Sequence, residues 1–103
     1  MSIKILVADD SKSDILIIKN MLDAYEILTA CDGREALQRL DENKDIHLLI
    51  LDLNMPDMSG FEVLAAMKSD ERHKKIRTII LTNYDEIENE IKGLELGAVD
   101  YIR

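Results

Sequence analysis

Five short apolar runs, at 3–8, 25–30, 46–51, 76–81 and 98–102, divide the chain at nearly regular intervals. Several are continuous rather than alternating, which is how strands read when both faces of a parallel sheet are covered. Between them, apolar residues recur at helical spacing: Ile15, Ile18 and Leu22; Ala36, Leu37 and Leu40; Phe61, Leu64 and Ala65; Ile87, Ile91 and Leu94. Asp32 with Glu35 and Ser59 with Glu62 fit capping boxes, in which the first side chain caps a free N–H and the glutamate reaches back. Asp85 with Glu88 repeats the pattern more loosely, and Gly97 falls where the fourth helix should end. The order is strand–helix four times, closing on a fifth strand. Right-handed crossovers then give an α/β chain with a doubly wound, five-stranded parallel sheet. A barrel needs more units than this.

With 103 residues the chain makes one domain, spanning 1–103. A net charge of −8 repels nucleic-acid phosphates, so no direct contact with nucleic acid is expected; a cation, or a partner with a basic surface, fits better. The single cysteine, Cys31, excludes an internal disulfide and suits a reducing compartment. No apolar run approaches the roughly 20 residues of a membrane helix. The run at 5–8 is followed at once by Asp9 and Asp10, unlike a signal peptide. The expected location is the cytoplasm.

Ligands of an open parallel sheet bind beyond the carboxyl ends of its strands, near the point where strand order reverses. The first strand ends in Asp9 and Asp10, the third in Asp52, the fourth in Thr82 and Asn83. In a 2-1-3-4-5 order these strands are neighbours and the residues converge. Three carboxylates in one crevice raise each other's pKa values or recruit a metal. Oxygen ligands with room for water and phosphate suit Mg2+. Beside the ion, one carboxylate can act as nucleophile towards a phosphoryl donor, with the Thr82 hydroxyl facing the phosphoryl oxygens. Taken singly, each residue has a plainer reading. Asp9-Asp10-Ser11 is also turn and capping chemistry, Asp52 can be a turn residue ahead of Pro56, and Thr82 can cap the fourth helix.

The segment Leu51-Asp52-Leu53-Asn54-Met55-Pro56-Asp57-Met58-Ser59-Gly60 resembles the phosphorylation-site segment of the receiver domains of two-component response regulators. Leu6-Val7-Ala8-Asp9-Asp10-Ser11, Ile80-Leu81-Thr82 and Leu96-Gly97-Ala98-Val99-Asp100-Tyr101-Ile102 are similar to that family's other strand ends, so the likeness spans essentially the whole chain. The 2-1-3-4-5, flavodoxin-like order is known for a chemotaxis regulator of this family, so sheet order and resemblance are one argument. The resemblance implies that Asp52 accepts a phosphoryl group from a sensor histidine kinase or phosphotransfer protein. It implies Mg2+ held by Asp9, Asp10, Asp52 and the backbone carbonyl of Asn54. Thr82 would sense the phosphate, and Tyr101 would be an aromatic switch, although half-buried packing explains a tyrosine there too. The altered surface would include the fourth helix and fifth strand, and the product is a signal rather than an enzymatic turnover.

The sequence departs from the family in three ways. The family's phosphate-pairing lysine and a proline should follow Arg103 directly, and the family's last helix should come after them. The expectation is therefore a receiver domain cut short after the fifth strand, either a piece of a longer regulator or a short natural chain. One sheet face would be short of cover, and a receiver fold kept for homodimer association, with impaired switching, is the alternative. Asn83 and Tyr84 stand where smaller residues are common, and Tyr84 is expected to slow water attack on the phosphoaspartate. An aspartate-nucleophile phosphatase would need a general acid two residues after Asp52; Asn54 cannot serve.

Overall fold

The computed structural model describes residues 3–81 and 87–102. Strands β1 (Lys4–Ala8), β2 (Glu26–Ala30), β3 (Leu48–Asp52), β4 (Arg77–Leu81) and β5 (Asp100–Ile102) alternate with helices α1 (Lys12–Met21), α2 (Gly33–Glu42), α3 (Gly60–Lys68) and α4 (Ile87–Glu95). One 3-10 turn, Glu71–His73, precedes β4. The sheet is wholly parallel with strand order β2-β1-β3-β4-β5, the order expected from the sequence.

Alternation of side chains along the strands builds two cores. Leu6, Ala8, Leu49, Leu51 and Ile80 face α2 and α3, where Ala36, Leu40, Val63, Leu64 and Met67 are buried against them. Ile5, Val7 and Ile50 point to the other face and meet Ile15, Ile18 and Leu22 around α1. Helices therefore lie on both faces, as a doubly wound sheet requires. On the α1 face, β4 and β5 carry no helix among the described residues. An apolar cleft of about 460 Å³ opens there, lined by Ile18, Leu22, Ile50, Ile79, Leu81 and Ile102.

The helix start at Asp32 behaves as read, and that at Ser59 shows the first half of its capping box. Glu35 N–H donates to Asp32 Oδ1 at 2.8 Å, and Glu35 reaches back to accept from Cys31 N–H at 2.9 Å. Glu62 N–H donates to Ser59 Oγ at 3.3 Å. Gly97 takes a positive φ of 115° just after α4, where a side chain would be strained. Asp85 lies outside the described residues.

Two helical stripes need correction. In α3, Ala65 is exposed, and Val63 and Met67 join Leu64 in the core. In α4, Ile91 and Leu94 face outward, at 54% and 40% exposure, whereas Glu90 is 3% exposed and Gly93 is buried. The cause lies at Gly93: a Cβ there would stand 2.5 Å from Ile80 Cδ1, so α4 approaches β4 closely along its glycine side. That rotation turns the apolar stripe away from the sheet.

Candidate functional site

Strand register brings the acidic residues together. Ala8 pairs with Leu51 between β1 and β3, so the residues that follow, Asp9 and Asp52, stand side by side at the carboxyl edge. Both have the alternation parity of the α1 face, because Leu51 and Leu53 on either side of Asp52 are sunk in the opposite core. Asp10 closes the group: one oxygen from each of the three carboxylates lies within 4.8 Å of the others. Asp9 is 2% exposed, Asp52 is half-buried and Asp10 is exposed, so the crevice opens to solvent on the Asp10 side.

Local hydrogen bonds fix two of the three carboxylates. Asp9 Oδ1 accepts from Ser11 N–H at 2.9 Å, while Ser11 itself caps α1 by accepting from Asp14 N–H at 3.2 Å. The turn-and-cap reading of Asp9-Asp10-Ser11 is therefore met by Asp9 and Ser11. Asp52 Oδ1 accepts from Asn54 N–H at 3.0 Å. The loop after β3 is anchored by Leu53 and Met55 in the core, and Asp57 within it takes a positive φ of 65°. Gly60 N–H then donates to Leu53 O at 3.1 Å, which seats the first turn of α3 on the backbone beside Asp52. A Cβ at Gly60 would stand 2.5 Å from Asp52 O and 2.8 Å from Leu53 Cα.

Burial raises the pKa of Asp52 to about 7, with the Asn54 N–H opposing and the negative charges of Asp9 and Asp10 adding to the rise. Asp9 is raised as well, chiefly by burial, against the Ser11 N–H. Carboxylates held at close range with raised pKa values are short of positive charge. An all-oxygen set suits a hard divalent ion, so the residues present fit Mg2+.

Of the other residues expected at the site, Asn54 lies two positions after Asp52, in the loop that leaves β3. Tyr101 pairs in register with Ile80 on edge strand β5, half-buried against the larger core. Thr82, Asn83 and Tyr84 lie outside the described residues; Leu81, immediately before Thr82, pairs with Asp52. The sequence reading missed Gly60, although an N–H that must approach a neighbouring backbone just inside a capping box is a place where glycine is needed.

A family model described as response regulator receiver domain matches residues 5–103. The chain is 41% identical to the chemotaxis protein CheY1 of Helicobacter pylori, over 96% of this chain and 82% of that protein. It is 36% identical to the alkaline phosphatase synthesis transcriptional regulatory protein PhoP of Bacillus subtilis, over 99% of this chain but 42% of that protein. Among solved structures, the chemotaxis protein CheY4 of Vibrio cholerae superposes with a TM-score of 0.90 at 33% identity, covering 99% of this chain and 86% of the other. A response regulator receiver domain from Clostridium thermocellum superposes with a TM-score of 0.88 at 36% identity, covering 98% and 81%.

Proposed function

Since the chain belongs to the response regulator receiver domain family, we propose that Asp52 is its phosphoacceptor and that Asp9, Asp10, Asp52 and the Asn54 carbonyl hold Mg2+. The observation that carries this reading is the juxtaposition of Asp52 with Asp9 and Asp10, three oxygens within 4.8 Å of one another. Attack by a carboxylate oxygen of Asp52 on the phosphorus of a phosphohistidine forms an acyl phosphate, and the P–N bond breaks with its electron pair passing to the imidazole nitrogen. The Asn54 N–H orients the carboxylate through Oδ1, leaving Oδ2 to react. The Ser11 N–H bond to Oδ1 holds the Asp9 carboxylate at fixed geometry beside the acceptor. Bound there, Mg2+ would offset charge on the transferring oxygens. The donor is a sensor histidine kinase or a phosphotransfer protein.

The phosphoryl group adds about −1.5 to −2 charges and new acceptor oxygens at the end of β3. Thr82 is the hydroxyl that meets it, and Tyr101 the ring that responds. The output is a changed surface on α4 and β5, where Ile91, Leu94 and Ile102 are exposed. Tyr84 slows water attack on the acyl phosphate. The reaction changes the state of the domain and turns over no external product.

Hydroxylamine tests the assignment of the acceptor, because it cleaves an acyl phosphate and leaves a hydroxamate on the residue that carried it. After treatment with a small-molecule phosphodonor and Mg2+, peptide mapping is expected to place the hydroxamate at Asp52. Its appearance at Asp9 or Asp10 instead would overturn the assignment.

A further inference from the structure

A second cluster of ligand atoms lies at the opposite edge of the sheet. Asp41 is in the last turn of α2, Asp70 caps the 3-10 turn, and His73 ends that turn just ahead of β4. The five residues of β4 separate this edge from the level of Asp52, a distance of about 16 Å along the strand. His73 is 6% exposed, yet neither ring nitrogen makes a hydrogen bond. Nε2 lies 3.3 Å from Asp41 Oδ1 and Nδ1 lies 3.7 Å from Asp70 Oδ2. One ring nitrogen and one oxygen from each carboxylate lie within 4.8 Å of one another.

The cluster is short of positive charge. Arg72 is the cation already present: it donates to Asp70 Oδ1 through Nε at 3.0 Å, to Asp70 Oδ2 through Nη2 at 2.7 Å, and to Asp41 Oδ1 at 3.3 Å. It holds the Asp70 carboxyl well below the usual carboxylate range. Two carboxylates stand against one guanidinium, faced by a buried imidazole whose two ring nitrogens make no hydrogen bond. A buried polar group left in that condition is destabilising until it gains a partner.

We propose that Asp41, Asp70 and His73 form a second metal site, for a divalent first-row ion of the Zn2+ class. An imidazole nitrogen with two carboxylate oxygens suits such an ion, whereas Mg2+ and Ca2+ favour oxygen alone. Tetrahedral Zn2+ with bonds of about 2.0–2.2 Å sets its ligand atoms about 3.3 Å apart. The His73–Asp41 separation already has that value, at 3.3 Å, and all three ligand atoms lie within 4.8 Å of one another. The Asp41 side chain is 52% exposed, so the ion enters from solvent and water completes its coordination. Each carboxylate offers about four lone-pair positions, so the bonds from Arg72 do not exhaust Asp70. The ion ties the end of α2 to the connection between α3 and β4, with the 60% exposed Arg72 side chain as its competitor.

The test uses Co2+ as the probe, in saturating Mg2+, followed by NMR of the histidine rings. The chain has two histidines; His47, whose ring accepts from Lys4 N–H at 3.2 Å, is not one of the cluster's ligands and serves as the internal reference. Co2+ is expected to shift or broaden the His73 ring signals far more than those of His47. Asp41→Asn, on an exposed side chain, should weaken that binding at least tenfold, and Arg72→Ala should tighten it several-fold by removing the competing cation. His73→Gln, checked for folding by circular dichroism, should abolish it. The proposal is overturned if excess Co2+ leaves the His73 ring unmoved while pH alone moves it, which would make a proton the occupant. Co2+ affinity that is unchanged in Asp41→Asn, or lowered by Arg72→Ala, overturns it equally.

Discussion

Gly60→Val is expected to destabilise the domain by about 3 kcal/mol and to disrupt the acceptor segment at the same time. A Cβ at position 60 meets backbone atoms, Asp52 O at 2.5 Å and Leu53 Cα at 2.8 Å, which no rotamer change can relieve. Overpacking against a core ordinarily costs about 1–3 kcal/mol, and backbone collision places this case at the upper end. The first turn of α3 must lift away, and with it goes the 3.1 Å bond from Gly60 N–H to Leu53 O that seats the helix beside Asp52. Urea unfolding monitored by circular dichroism measures the effect. Gly93→Ala makes the contrast, because there the obstacle is the flexible end of Ile80. A Gly60→Val midpoint within error of the unsubstituted chain would show that α3 does not depend on this close approach.

The second large effect concerns the charge on Asp52. Removing it should stabilise the metal-free domain at alkaline pH and leave it unchanged in acid. The folded-state pKa is raised from 3.8 to about 7, mainly by burial, with Asp9 and Asp10 adding to it against the Asn54 N–H. Below about pH 4 the group is neutral in both folded and unfolded chains, and no penalty applies. Between pH 4 and 7 the unfolded chain ionises first, so folding stability falls as pH rises, and above 7 the whole penalty is present. The free-energy equivalent of the displacement is about 4 kcal/mol. The carboxylate keeps contact with water, so roughly half of that, about 2 kcal/mol, is the expected gain for Asp52→Asn at pH 8. Thermal unfolding at pH 8 and pH 4, with EDTA and then with Mg2+, gives the comparison. Mg2+ should raise the melting temperature of the unsubstituted chain and close the gap to the variant. A variant no more stable than the unsubstituted chain at pH 8 in EDTA would mean that Asp52 is not under electrostatic strain.

The sheet and the acidic group were legible because they rest on strong local signals. Continuous apolar runs reveal strands buried on both faces, and a fixed parallel register carries the residues at their ends to one edge. Asp9 and Asp52 meet because Ala8 pairs with Leu51. The orientation of α4 was not legible. Ile91 and Leu94 have the spacing of a buried face, yet the helix packs along Gly93, and nothing in a hydrophobic pattern weighs close backbone approach against apolar area. The same limitation hid Glu90, a carboxylate that is 3% exposed in a position that reads as solvent-facing. His73 was silent for a different reason. Its partners Asp41 and Asp70 come from separate elements, and only the folding of α2 against the α3–β4 connection brings them together. Tyr101 reads as packing and as a switch alike, because a half-buried ring on an edge strand serves either role.

In the proposed function Asp52, in an acidic crevice completed by Mg2+, takes a phosphoryl group. The most direct measurement is the intact mass of the chain after incubation with acetyl phosphate and Mg2+, beside the same reaction in EDTA and an Asp52→Ala control, each shown to be folded by circular dichroism. One phosphoryl adduct is expected on the unsubstituted chain with Mg2+ and none in either control. No adduct on the folded chain with Mg2+, or an equal adduct on Asp52→Ala, would contradict it.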